Sequence, residues 1–421
     1  MAGKLNINVR SEIGELEGVI LHTPGKEVEN MTPKNAERAL YSDILNLSVA
    51  QKEYSQLSQV LGKLTKTFQV RDLLTDVLKN EKVKDNLLHK ICEREQKCNI
   101  INHLKSLDAP ELSKQLIEGV VERKNNLTKY LNKERYSLRP LHNFFFTRDA
   151  SMTVLDEVLI GRMANKVRDR EAMIMETIFD FNELFVTKTI NPINSPKYSD
   201  HISIEGGDVL IARDDILCIG TGTRTTSQGI DFILETLLAQ KEKRRHILIQ
   251  ELPHKPESFI HLDMVFTFLD ADKCMVYEPL ILQTNRYQTI HITIENGEVI
   301  SIKEEENLLK SLQDLGMDLK PVFCGGTKDP WVQEREQWHS GANFFAVGPG
   351  KVIGYGRNTY TMDEMNKNGF EILKAKDVIS GKVDPKTYKS YVIALDGSEL
   401  PRGGGGARCM TMPIRRKPIK W

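Results

Sequence analysis

Beyond Pro140, short β-like runs and stretches with apolar residues at helical spacing take turns along the chain. No other feature narrows the fold as much. Ser151 to Ile160, Val209 to Ile219, HILIQEL, MVFTFLD, KCMVYEP and TIHITIE read as strands, and NFFAVGPGKVIGY as a hairpin. Helices are expected near Ile174 to Phe185, through Ile230, Ile233, Leu234 and Leu237, and from Leu308 to Leu315. Such alternation makes an α/β fold, and units of similar size point to a repeated ββαβ module.

The beginning of the chain follows the same rule. LEGVIL, Leu16 to Leu21, is a buried strand that enters a sharp turn at His22-Thr23-Pro24-Gly25. Tyr54, Leu57, Val60, Leu61 and Leu64 then recur at helical spacing, before a short strand from Phe68 to Val70. Between residues 72 and 137 the pattern changes. Leu73, Leu74, Val77, Leu78, Leu87, Leu88, Ile91, Leu104, Leu107, Leu112, Leu116 and Val120 stand among many charges at helical spacing, with Pro110 starting or breaking a helix. The expectation is a helical subdomain inserted into one catalytic domain that spans residues 1–421.

A chain of 421 residues has room for two or three average domains, or for one large α/β barrel or propeller. Lysine plus arginine, 58, cancels aspartate plus glutamate, 58, so no overall field draws the protein to nucleic acid or to a membrane surface. A small polar substrate fits better. MAGKLNINVRSE has no signal-peptide core and no window approaches the roughly 20 apolar residues of a membrane span, so a cytoplasmic location is expected. Six cysteines without paired spacing argue against a disulfide framework and against a zinc site. A homo-oligomer is compatible with the sequence.

Chemistry is concentrated in a few segments. Cys409 lies in RGGGGARCMTMP, where glycines permit close ligand approach, and Arg402 and Arg408 are expected to favour a thiolate. His261 and Asp263 are expected two apart on one strand of FIHLDMVFTF, projecting from the same face. Glu205 and Asp208 bracket two glycines in SIEGGDVLI, and Asp149 follows an aromatic run in NFFFTRDA. Taken singly, each has a plain structural alternative: a buried cysteine, a satisfied core histidine, solvated acids at strand entries. Together they make one demand on a substrate. A cysteine, a histidine and several carboxylates, with no metal or cofactor, suit a planar cation whose edges two carboxylates grip while a thiolate approaches its central carbon.

At these residues the chain resembles the arginine deiminase family of guanidino-group-modifying enzymes. The resemblance runs through Ser11-Glu12, LHTPG, PLHNFFFTRD, GRMANKVRDRE, SIEGGDVLI, IGTGTRTT, FIHLDMVFT, REQWHSGANFFAVGPG and SELPRGGGGARCMTMP, in the family's order. It implies a five-bladed α/β propeller of ββαβ modules with a helical insertion, and hydrolysis of L-arginine to L-citrulline and ammonia without a cofactor. It also implies roles: Cys409 as nucleophile, Asp149 and Asp263 on the guanidinium nitrogens, and His261, steadied by Glu205, as proton donor and then base. Arg168 and Arg224 correspond to the partners of the substrate's α-carboxylate, with Asn143 and Phe146 lining the path.

Three positions depart from the family pattern. Gly404 stands where an arginine usually precedes the nucleophile, Thr223 where an acid usually precedes Arg224, and His142 where a proline is usual in PLHN. Loss of that arginine is expected to raise the thiol's pKa or loosen its loop, unless Arg402 or Arg408 compensates. The same covalent intermediate would serve amidino transfer or hydrolysis of a modified arginine. A catalytically idle arginine-binding regulator is the reading from a different class, against which the intact set of reacting residues speaks.

Overall fold

A computed structural model of the chain describes residues 4–196, 199–240 and 244–421, so the first three residues of the polar opening segment lie outside it. Five of its sheets share one pattern: an antiparallel pair of strands, then a third strand parallel to the second. Ser151–Val154 pairs antiparallel with Glu157–Ile160, which pairs parallel with Lys188–Ile190. Val209–Arg213, Ile216–Thr221 and Arg245–Glu251 repeat the order. So do Phe266–Asp270, Lys273–Val276 and Lys320–Phe323, and then Phe345–Gly348, Lys351–Tyr355 and Tyr391–Leu395. The remaining sheet joins the two ends of the chain, because Leu16–Leu21 lies between Met412–Arg416, antiparallel, and Lys66–Gln69, parallel.

The step from second to third strand crosses a helix, as a parallel connection requires. Leu47–Leu64, Asp169–Phe181, Ser227–Ala239, Leu308–Asp314 and Thr359–Lys367 serve in turn. Asn46 caps the first of these by accepting from Val49 N at 3.3 Å, and Tyr54, Leu57, Val60 and Leu61 form its buried face. Among the pairings not read from sequence is a hairpin after TIHITIE. TIHITIE turns back through Asn296 and Gly297, both at positive φ (53° and 85°), and pairs with Glu298–Glu305. Asn-Gly between two β-like runs is the sequence signal for this turn.

Helices Val70–Val77, Glu81–Glu95, Ile101–Lys105 and Ala109–Glu118 fill the expected insertion, and its leucines pack against Ile174, Met175 and Ile178. Pro110 starts its helix, next to the Asp108 cap that accepts from Glu111 N at 2.9 Å. The stretch is not wholly helical, since Val120–Val121 pairs with Tyr136–Leu138. The cysteine expectation also needs correction: Cys92 and Cys98 form a disulfide there, closing a turn of the insertion, while Cys218, Cys274, Cys324 and Cys409 are free and buried. Among the described residues no helix is long and apolar enough to cross a membrane.

Candidate active site

The repeated pattern explains where the chemistry lies. Segments that lead into the first strand of each sheet carry Asp149 (before Ser151), Glu205 and Asp208 (before Val209), His261 and Asp263 (before Phe266), Asn343 (before Phe345) and Cys409 (before Met412). All seven side chains are buried. Asn343 stood in a recognised motif but received no role from sequence. Its signal is positional, since it occupies the same place before its strand as the other residues before theirs.

His261 and Asp263 do not lie on a strand, contrary to the sequence reading. His261 has extended backbone, Leu262–Met264 is a 3-10 turn, and the strand begins at Phe266. Asp208 fixes this turn by accepting from Leu262 N at 2.9 Å, so hydrogen bonding to a neighbouring segment overrides the β-like pattern. The turn brings His261 Nε2 to 2.9 Å from Glu205 Oε2, and His261 Nδ1 to 3.8 Å from Asp149 Oδ1. Neither Nδ1 nor that Oδ1 has a hydrogen-bond partner, although both are buried. Burial alone would lower the imidazole's pKa, but Asp149, the bond to Glu205 and Asp208 outweigh it and lift it to about 9. Glu205 is held far below the usual carboxylate range: burial opposes this, and Arg224, the His261 bond and Arg168 more than compensate. Burial raises Asp208 to about 7.

Cys409 Sγ lies 3.8 and 3.7 Å from the oxygens of Asp263 and accepts from Asn343 Nδ2 at 3.2 Å. Its thiol is pushed well above the ordinary value, first by burial and then by Asp263 and Asp149. Of the two arginines expected to favour a thiolate, Arg408 does so and Arg402 does not. Arg402 turns away to ion pairs with Asp43 and Glu399. Arg408 does lower the thiol's pKa, but its guanidinium is engaged by Asp263 at 2.8 Å and by both oxygens of Glu12 at 3.0 Å. Gly404 takes a positive φ of 84° with no atom within 4 Å of a would-be Cβ, so there is room for a side chain but a backbone that disfavours one.

On the other side, Arg168 bonds Asp149 Oδ2 at 2.8 Å, Glu171 at 2.8 Å and the carbonyl of Asn143 at 3.4 Å. Arg224 approaches Glu205 at 3.5 Å. Thr223, beside it, is exposed. Phe146 packs on Phe145, ring centroids 4.1 Å apart, and covers Gly403 and Gly405 of the Cys409 loop. His142 is buried against the carbonyl of Glu27, which is how the turn after LEGVIL supports the Asn143 segment. Ligand atoms of Asp149, Glu205 and His261 lie within 4.8 Å of one another, close enough to hold a metal. Arg168 and Arg224 already supply positive charge to both carboxylates, so the cluster is better matched to guanidinium groups than to a metal ion.

Solved structures share this fold. An amidinotransferase from Microseira wollei superposes with a TM-score of 0.54 at 14% identity, covering 99% of this chain and 98% of that one. The N-terminal domain of a cyanobacterial arginine dihydrolase bound to product gives 0.52 at 13% identity, covering 95% and 97%. Fold and site together define an α/β protein of the pentein fold, with a buried cysteine and histidine in segments that lead into its strands. Within that class the identity is set by sequence. The profile of the arginine deiminase family matches residues 37–416, and the chain belongs to that family. It is 33% identical to an arginine deiminase of Bacillus cereus and 34% identical to one of Limosilactobacillus reuteri, each time over 98% of this chain and 99% of the relative.

Proposed function

We propose that the chain hydrolyses L-arginine to L-citrulline and ammonia, as a hydrolase of a linear amidine in arginine catabolism. The observation that carries the reading is the facing pair of buried, unpartnered atoms, His261 Nδ1 and Asp149 Oδ1, beside a thiol flanked by Asp263. A guanidinium nitrogen placed between them would donate to Asp149 and receive a proton from His261. Asp263 would grip the opposite edge, and Cys409 would face the central carbon.

The carboxylates that hold the thiol protonated become partners of the bound cation, which removes their repulsion of a thiolate. Cys409 gives up its thiol proton to solvent and adds, as the thiolate, to the guanidinium carbon. Collapse of the adduct breaks one C–N bond as His261 gives its proton to the departing nitrogen, leaving ammonia and an S-alkylthiouronium. The neutral imidazole takes a proton from water, whose oxygen bonds to the same carbon. Rupture of the C–S bond, with loss of the added hydroxyl's proton to solvent, frees citrulline and the thiolate.

Arg168 and Arg224 serve the α-carboxylate, with Asn143 and Phe146 along the path. The five sheets form the blades of one propeller closed around the site. Residues 72–137 are an insertion in a single domain, and the protein works in the cytoplasm, alone or as a homo-oligomer. The test is citrulline and ammonia release by the purified protein without added metal or cofactor. Equimolar products from L-arginine, none from agmatine and none from Cys409→Ala are expected; silence on arginine contradicts the reading.

A further inference from the structure

Asn343 is the strand-entry residue to which the mechanism above assigns nothing. Its Oδ1 accepts from the backbone N–H groups of Arg408, at 2.9 Å, and Cys409, at 3.3 Å. Both partners can only donate, so the orientation of the amide is fixed by chemistry: the atom facing the other way is the nitrogen. That Nδ2 points at Cys409 Sγ, 3.2 Å away, and at the carbonyl of Asp263, 3.1 Å away. The contact depends on Gly406, because a Cβ there would lie 2.6 Å from Asn343 Oδ1.

We propose that Asn343 is a catalytic residue for the reaction above, stabilising the Cys409 thiolate by donating a hydrogen bond to its sulfur while its carbonyl oxygen holds the nucleophile's backbone. Burial, Asp263 and Asp149 oppose a thiolate, while the Gly406 backbone and Arg408 favour one without reversing that balance. Asp263 repels a thiolate, and the guanidinium of Arg408 is committed to Asp263 and Glu12. Among the described residues, Asn343 supplies the side-chain N–H that reaches Sγ. The amide keeps its protons throughout and strengthens its bond as negative charge gathers on the sulfur, then releases it as the S–C bond forms.

The inference rests on Cys409 being the nucleophile, but its test needs no turnover. Iodoacetamide alkylation of Cys409, located by peptide mass spectrometry, is followed against pH without arginine in the wild type, Asn343→Ala and Asn343→Asp. Loss of one hydrogen bond to a charged group corresponds to a midpoint about one to two pH units higher, and to alkylation about ten- to a hundredfold slower at neutral pH. Asn343→Asp keeps an acceptor oxygen for both backbone N–H groups while losing the donor, so it is expected to shift at least as far as Asn343→Ala. Because the added carboxylate would by itself repel a thiolate, as Asp263 does, Asn343→Ala decides between the two roles: a residue that merely braces the loop leaves a folded Asn343→Ala at the wild-type midpoint, and that outcome overturns the proposal. Should Asn343→Ala not fold, the wild type labelled with ¹⁵N-asparagine decides. One side-chain amide signal must then move with the Cys409 midpoint and lose that movement in Cys409→Ala; no such signal overturns the proposal. An unshifted profile in a protein that still makes citrulline refutes Asn343 alone, whereas shifted profiles without citrulline refute the deiminase reading alone.

Discussion

Cys409 and His261 occupy one nest of buried acids, and both hold their protons more tightly than usual, for opposite reasons. The thiol is raised because burial and the negative charge of Asp263 and Asp149 penalise its anion. The imidazole is raised, against the effect of burial, because Asp149, Glu205 and Asp208 reward its cation. The nest, with Asp149 acting on both groups, therefore keeps the thiol protonated and the imidazole charged until a cation arrives. Only a positively charged ligand reverses the first effect while leaving the proton donor in place, which ties substrate charge to activation.

The largest expected effect comes from removing one of those charges. Asp263→Asn should lower kcat/KM for arginine by about 10²- to 10³-fold, the loss typical of one preorganised electrostatic contact. It should also move alkylation of free Cys409 to lower pH, because the repulsion is gone; steady-state kinetics and the alkylation profile check the two directions.

Glu205→Gln acts on the other pole. The first step needs an imidazolium, so activity falls as pH rises through the His261 pKa, near 9 in the free protein. Without the Glu205 charge that alkaline limb should move to lower pH, with kcat reduced by about 10²-fold; an unmoved limb in the pH–rate profile would break the assignment.

Asp208→Asn separates a supporting acid from a reacting one and should change kcat only several-fold. The Asp208 pKa is raised from 3.8 to about 7, so its contribution to stability is full below the unfolded value and is lost as pH rises through the folded one. Above about pH 7 the wild type therefore buries a charged carboxylate, one of whose oxygens, Oδ2, has no partner. The variant is expected to be more stable than wild type at pH 8, by about 1–2 kcal/mol, and not at pH 4. Urea unfolding at the two pH values measures it.

Much of this was legible in the sequence because alternation and spacing report local structure. The strands around Ser151, Val209 and Phe345, the helix carrying Tyr54 and Leu57, and the leucines of the insertion lie where their periodicity placed them. His261 and Asp263 were misplaced onto a strand because a β-like composition does not reveal that Asp208, from another segment, ties Leu262 into a turn. The motifs singled out Asp149, Glu205, His261, Asp263 and Cys409, which the fold brings together. How they act on one another was not legible, since the commitment of Arg408 to Glu12 and Asp263 joins positions 396 and 145 residues apart. Asn343 was missed for a similar reason: an asparagine before a strand is common, and only the fold places its amide on the nucleophile's sulfur.

The most direct test of the account is acid quenching during turnover of L-arginine, followed by mass spectrometry of the peptide that contains Cys409. An arginine-derived adduct on Cys409 is expected, formed and lost at rates that support steady-state citrulline release and missing in Cys409→Ala. Citrulline formed at the full rate by Cys409→Ala, or an adduct on another residue, would contradict it.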